Sequence, residues 1–515
     1  MNRRKSRAHR QRHPILTAPV LIARQALICA CVAWTGAQAQ SGVRSTTVSA
    51  SVDSSVSYNV DSRTGGRDSP DYVAELRPGI RIESRSGRIV GSLSYSMGLV
   101  HHSKNFDGQA VQNRLNAAFS AEAVEKWMYV DASATVGRQA ISAYGQQSAP
   151  GSSQDNSNRT EVGTVTLSPY VRGVFGSAVN YEARLSTSAT NGWHSIAADS
   201  THNSGSVSLS SAVSGAPIGW GLLATRQVSD YRAGRETQTD RYSASLSFAP
   251  DADLNLTLRG GQEANDVASV SRTSYSNWGA GVTWRPTPRT RAQLDTDDRY
   301  FGRSYRVLLE HRMASSSVQF SSSRDASSGS EAGAAGQTVT LYQVFFAQFA
   351  SLEPDSTQRD LLVRNFLQAQ GLDPNAVVAG GFLNTAVTLL ERHQLTLAYS
   401  GRRVAASVQA FSSDSRVIDA AALVPLDEST RQWGYLATAS YRLTPTANVA
   451  LSGSRLLTQG TPTRVGTELK SISLSLSDQL ARRTSATLSL RYSVFNSVTA
   501  PYREAALMVA LNQRF

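Results

Sequence analysis

The sequence predicts an all-β fold, a transmembrane antiparallel β-barrel of about 18–22 strands with a short helical insert. Three observations predict it: polar and apolar residues alternate along most of the chain, a processing signal opens it, and an aromatic residue closes an amphipathic last run.

The alternation is the first of these. Successive Cβ atoms of a strand point to opposite faces, so lipid-facing and lumen-facing residues of a barrel wall must alternate. Val48, Ala50, Val52, Val56, Tyr58 and Val60 alternate with Ser49, Ser51, Asp53, Ser55, Ser57 and Asn59. Tyr72, Ala74, Leu76, Ile80 and Ile82 stand against Glu75, Arg77, Arg81 and Glu83. Tyr242, Ala244, Leu246 and Phe248 oppose Arg241, Ser243, Ser245 and Ser247, and Leu488, Leu490 and Tyr492 oppose Ser489 and Arg491. The runs are mostly about 9–14 residues long, matching the length a tilted strand needs to cross a bilayer and exceeding that of strands in soluble sheets. About 20 such runs, at roughly 22 residues per strand and connection, fill the chain. Clusters such as Thr64 to Pro70 and Gly145 to Asn158 suit hairpin connections and exposed loops.

Aromatic placement agrees with this reading. Trp433 and Tyr441 share a face eight residues apart, a rise of about 27 Å along the strand and about 20 Å along the axis of a tilted barrel. Trp278 and Trp284 share a face similarly, and Trp127 shares one with Tyr129 at a single end. Aromatic pairs across a soluble sheet would account for these rings equally well.

The second observation concerns the compartment. Arg3, Arg4, Lys5, Arg7, Arg10, Arg12 and Arg24 precede a short apolar core, Ala26 to Trp34, with no acid among them. Ala37-Gln38-Ala39 then offers small residues at the positions a signal peptidase reads. The expected domains are therefore a signal peptide over 1–39, cut before Gln40, and a barrel over 40–515. Ile28-Cys29-Ala30-Cys31 faintly resembles a lipoprotein box, but a cut there would leave an apolar core of only Ala26 to Ala30. Both cysteines leave with the signal, so disulfides, thiolate metal sites and cysteine nucleophiles are excluded from the remainder. Seven of the 51 basic residues leave too, so 44 face 39 acids and the net charge falls from +12 to +5. The basic excess belongs to targeting and implies no nucleic-acid partner.

The third observation is the last run. Ala505, Leu507, Val509 and Leu511 lead to Phe515 on one face, with Glu504, Asn512 and Arg514 on the other. A terminal aromatic on such a strand resembles the signal read by the bacterial barrel-assembly machinery. That signal is assigned here to Leu507, Val509, Leu511 and Phe515, and the expected partners are that machinery and outer-membrane lipid.

Residues 341 to 380 break the period. Leu341, Phe345, Phe346, Phe349 and Leu352 recur at helical spacing. Ser356 can cap a second helix whose apolar stripe is Leu361, Leu362, Val363, Phe366 and Leu367. Two helices between barrel strands must lie in the lumen, in the periplasm or on the outer rim, as a constriction, a docking element or a folded loop. Phe345, Phe349, Leu362 and Phe366 are the candidate plug or docking residues.

Enzymatic chemistry is sparse. Six histidines follow the signal, His101, His102, His194, His202, His311 and His393, and adjacent His101 and His102 face opposite ways, so they cannot share one ion. No Gly-x-Ser-x-Gly, phosphate loop or zinc spacing occurs. The expectation is no enzymatic activity and no cofactor. What remains is a polar interior of Ser, Thr and charged residues, with Glu75, Arg77, Arg81, Arg241, Arg491 and Arg514 the candidate lumen-lining groups. Hydroxyls replace water hydrogen bonds at little cost and arginines attract anions, although any barrel lumen must be polar.

Asn113-Arg114-Leu115-Asn116, then Ala121 to Ala134 and Gln139 to Gly145, resemble the outer-membrane protein family associated with the PEP-CTERM/exosortase system. Gly371-Leu372-Asp373-Pro374-Asn375 and the end from Pro501 to Phe515 look like that family too. Lys126 and Met128 stand where an acid and a leucine are expected. The resemblance covers most of residues 42–515 and implies a bacterial outer-membrane location and a role in exopolysaccharide export, as a channel or accessory component. A structural or adaptor barrel with a plugged lumen and a general porin stay open beside it.

Overall fold

The computed structural model describes residues 45–515 except 64–68, 86, 104–110, 151, 153–155, 194–198, 213–216, 328–338 and 420–428. Within 341–385 it describes only 342, 345, 346, 349, 359, 360, 362, 363, 367, 377–379, 382 and 383. The signal expected over 1–39, with Ala37, Ala39 and Gln40, lies outside the described residues.

Long strands follow one another directly. They are β1 (Ser45–Arg63), β2 (Ser69–Arg85), β3 (Ile89–His102), β4 (Val111–Val124), β5 (Met128–Ala140), β6 (Arg159–Phe175), β7 (Val179–Gly192) and β8 (Ser200–Ser211). Next come β9 (Ile218–Tyr231), β10 (Glu236–Phe248), β11 (Leu254–Asn265), β12 (Thr273–Thr287), β13 (Thr290–Arg299), β14 (Gly302–Arg312) and β15 (Ser316–Ser327). Two short strands, β16 (Val339–Thr340) and β17 (Val377–Ala379), pair only with each other. The wall resumes with β18 (Thr388–Ser400), β19 (Val404–Val417), β20 (Ser429–Arg442), β21 (Ala447–Thr458), β22 (Thr467–Ala481), β23 (Thr484–Asn496) and β24 (Tyr502–Arg514).

Each long strand pairs antiparallel with the next, β15 pairs with β18 across the 328–387 connection, and β1 pairs with β24. In that closing seam Val56 lies opposite Val509 and Tyr58 opposite Leu507. The result is a closed wall of 22 strands without an edge, at the upper end of the expected number.

Burial separates the two faces. On β1, Ser57 and Asn59 are buried while Val48, Val56 and Tyr58 are exposed, and register carries this parity around the ring. Leu451, Leu474, Leu490 and Leu507 are successive register partners on the outer face, 42–51% exposed. Trp278, Trp284, Tyr435 and Tyr441 share that face. Trp127 departs from its expected pairing with Tyr129. It sits in the turn after β4, bonded to the Tyr181 hydroxyl, while Tyr129 stacks on Tyr170 at 5.2 Å within the wall.

The connections are asymmetric. At the end holding Ser45 and Phe515 they are tight, as at 125–127, where Lys126 takes a φ of 55°, and at 482–483. At the other end they include 141–158, 328–387 and 418–428. Short turns mark the periplasmic side of such barrels and long loops the outside, so the barrel end that holds Ser45 and Phe515 faces the periplasm.

The helices expected within 341–380 are not found: no helical element occurs among the described residues. At the described positions Tyr342, Phe345, Phe346, Asp360, Val363 and Leu367 the backbone is helical, and β16 and β17 pair with each other. Apolar spacing reported burial at Phe345, Val363 and Leu367; most of the two expected helices lies outside the described residues. Leu490→Arg, near the middle of the lipid face, should cost about 2–4 kcal/mol in denaturant titrations, while Ser489→Arg on the inner face should cost under about 1 kcal/mol. Equal effects would contradict the facing assigned here.

Candidate functional site: the lumen and the segment folded into it

The inner face is chemically sectored. On β10–β13 and β15 it carries a charge ladder built across strands. Arg241 lies 3.8 Å from Asp297, Arg259 holds Asp295 at 3.1 Å and Asp297 at 3.0 Å, and Arg299 holds Glu263 and Asp325, each at 2.6 Å. Other sectors carry hydroxyls paired across strands. Thr164 meets Thr190, Thr166 donates to Ser188 and Ser168 meets Ser186 on β6–β7, while Ser452 meets Ser473 and Ser454 meets Ser471 on β21–β22, all within 2.6–3.0 Å.

The predicted lining residues fall as follows. Arg77 pairs with Glu75 on the inner face of β2. Arg81 holds Glu83 at 2.5 Å. Arg491 holds the fully buried Glu504 at 2.8 Å. Arg514 is exposed at the periplasmic rim opposite Ser51. Leu507, Val509 and Leu511 face outward, and the Phe515 amide donates to the Ala50 carbonyl at 2.9 Å. Most of these arginines are therefore neutralised by partners in the wall, a pairing that residue types alone did not reveal.

The segment between β15 and β18 starts at the outer mouth, and its described residues reach the wall at Leu436, at Arg81 and at Ala140. Phe345, Val363 and Leu367 pack on Leu436, midway along the inner face of β20, with Phe349 beside them. Six strands further around the ring, the Asp360 carboxylate accepts from Arg81 at 3.2 Å, near the periplasmic end of β2, and from the Tyr342 hydroxyl. Leu362 is partly exposed, and Phe366 lies outside the described residues. On the return limb, the Leu383 amide donates to the Ala140 carbonyl at 3.2 Å.

Between segment and wall lies a cavity of about 410 Å³. The stacked Tyr342 and Phe346 rings, 5.6 Å apart, contribute one side of it. Thr166, Ser168, Asp131 and Glu83 contribute to the wall side.

A second inward segment escaped the sequence reading. The cluster Gly145 to Asn158, expected as a hairpin connection or exposed loop, and the residues just before it instead bond, at the described positions, to the inner face of β21, β22 and β24 near their outer ends. The Thr458 and Thr467 hydroxyls donate to the Ala143 carbonyl at 3.2 and 3.3 Å, and the Tyr502 hydroxyl donates to the Gln147 carbonyl at 2.7 Å. Asn158 is buried and its amide nitrogen donates to the carbonyls of Ser142 and Gln146. Polar composition suggested solvent, and no local pattern encodes a partner more than 300 residues away.

On the outer face Ser322 Oγ lies 2.8 Å from His393 Nδ1, His393 Nε2 lies 3.3 Å from Glu391, and the Tyr305 hydroxyl donates to Glu391 at 2.9 Å. The group order is that of a nucleophilic triad. Ser322 is buried, however, and the main chain around it is spent in the ladders to β14 and β18. No oxyanion donors converge there among the described residues.

A closed, even-stranded wall with an apolar outside, a polar bore, short turns at one end and long loops at the other defines an outer-membrane β-barrel. No family model matches the chain, and no curated protein matches it. Among solved structures it is similar to the FrpB iron transporter of Neisseria meningitidis (F5-1 variant), at 10% identity and TM-score 0.48 over 91% of this chain and 82% of that one. It is similar to the siderophore receptor PiuA of Acinetobacter baumannii, at 8% identity and TM-score 0.41 over 93% and 82%. It is similar also to OccK5 (OpdH) of Pseudomonas aeruginosa, at 9% identity and TM-score 0.32 over 91% and 98%. Likenesses of this degree say nothing about what passes through the present barrel.

Arg299→Ala would leave Glu263, which has no exposed surface, as an uncompensated charge. The variant should lose about 3–5 kcal/mol of barrel stability in denaturant titrations, and an unchanged midpoint would show the pair to be dispensable.

Proposed function

We propose that this barrel is a constricted outer-membrane conduit for a hydroxyl-rich chain, an exopolysaccharide, serving export linked to a PEP-CTERM/exosortase system and catalysing no reaction itself. One observation carries the reading: the cavity between the inward segment and the wall sets the Tyr342–Phe346 pair opposite hydroxyls and carboxylates. An apolar ring face with converging polar groups is the surface a sugar ring fits, since its C–H side packs on the aromatic and its hydroxyls find partners. The paired arginines favour the same reading, because a bore whose charges are neutralised selects weakly by charge. The link to exosortase-type export is supported by the sequence resemblance of residues 113–145 and of the last strand. Insertion by the barrel-assembly machinery is supported by the strand ending at Phe515.

The contacts of the inward segment with both Leu436 and Arg81 favour a second reading, a plugged adaptor barrel. Planar-bilayer recording separates the two. A conduit gives conductance steps that neutral oligosaccharides block, and Tyr342→Ala should weaken that block by about tenfold, the equivalent of one aromatic contact. Parent protein silent above the lipid background, with steps arising only in Arg81→Gln or Asp360→Asn, would instead establish the plug.

A further inference from the structure

The bore accounts for the inward charges, and the Ser322–His393–Glu391 network is satisfied within itself. Neither uses a row of cations on the outer face. Arg455, Lys470, Val494 and Arg503 are successive register partners across β21, β22, β23 and β24. They share the face of Leu451, Leu474, Leu490 and Leu507, which form a parallel row four residues nearer the periplasmic end of every one of these strands. Four residues are about 13 Å of strand, or about 10 Å of depth at a tilt near 40°. With the leucines in hydrocarbon, the cations stand at the level of the outer-leaflet head groups.

These cations are incompletely neutralised. Arg455 and Lys470 are direct cross-strand partners, a repulsive arrangement, and both turn to the single carboxylate of Glu468, at 2.5 and 2.9 Å. Arg503 is exposed and has no acidic partner among the described residues. Among the described residues the outer face of β19–β24 at this end carries five cations, Arg416, Arg431, Arg455, Lys470 and Arg503, against two acids, Asp414 and Glu468. The Arg455 guanidinium is fixed over the Trp433 ring at 4.7 Å. Unbalanced charge beside hydrocarbon is costly without a counter-ion, and phosphoryl oxygens accept strong charge-assisted hydrogen bonds from Arg and Lys.

We propose that this row binds the phosphoryl groups of an outer-leaflet glycolipid, whose acyl chains lie along the leucine row below. The proposal rests on the outer-membrane orientation derived above, with the long loops outside.

The test uses the full chain in nanodiscs of phosphatidylethanolamine with diphosphorylated lipid A, followed by detergent extraction and native mass spectrometry. The parent should retain lipid A in preference to phosphatidylethanolamine. An Arg455→Gln/Lys470→Gln/Arg503→Gln variant with the parent's heat-modifiable mobility should retain at least about tenfold less, the equivalent of losing one charge-assisted contact. Equal retention by parent and variant overturns the proposal, as does full release by millimolar inorganic phosphate, which would identify a free-anion site. Should the variant not fold, the parent alone decides, because equal retention of phosphorylated and dephosphorylated lipid A also overturns the proposal. A parent that never shows heat-modifiable mobility strikes the barrel itself, and the proposal with it.

Discussion

Everything in this molecule depends on closing the hydrogen-bond ladder. A bilayer offers no water to an unpaired N–H or C=O, and each such group costs several kcal/mol, so a sheet that enters hydrocarbon must have no edge. The β1–β24 pairing meets that condition, joining residues such as Val56 and Val509 that lie 453 positions apart. Once it forms, all 22 strands are interior strands, and their two faces are free to take opposite chemistry.

That freedom explains why so much of the fold was legible. Alternation along β2 or β23 is a local property, imposed by Cβ geometry on any strand between lipid and water. Glu75, Arg77 and Arg81 could therefore be assigned to one face, and Tyr72, Leu76 and Ile80 to the other, from spacing alone. The strand number was bounded by the same logic, since a fixed membrane thickness sets a nearly fixed repeat of strand plus connection.

Illegible features were those decided across the ring rather than along it. The Arg259–Asp297 and Arg299–Glu263 pairs join strands two apart, so their partners are set by register, which no short stretch specifies. Gly145 to Asn158 read as a loop because Ser, Gln and Asn dominate there, yet the Gln147 carbonyl takes a hydroxyl from β24, and that of neighbouring Ala143 takes hydroxyls from β21 and β22. The 341–380 segment was half legible. Apolar residues at Phe345, Val363 and Leu367 announced burial correctly, but the Leu436 platform that buries them lies on a strand whose inner face is otherwise polar.

The contacts of that segment with Leu436 and with Arg81 differ in kind, and the difference matters for a conduit. Burial of Phe345, Val363 and Leu367 on Leu436 is non-directional and tolerates sliding. The Tyr342–Asp360–Arg81 link is directional and holds only at one geometry, in a bore where water competes for every partner. An apolar contact on β20 and a polar contact on β2, six strands further around the ring, thus hold the segment to the inner wall in different ways. The cavity lies beside the polar contact, with Tyr342 and Asp360 among its lining groups. In the proposed conduit a polar chain entering that cavity would meet the same carboxylate that links Tyr342 to Arg81, so a ligand there and the polar contact would draw on one acceptor.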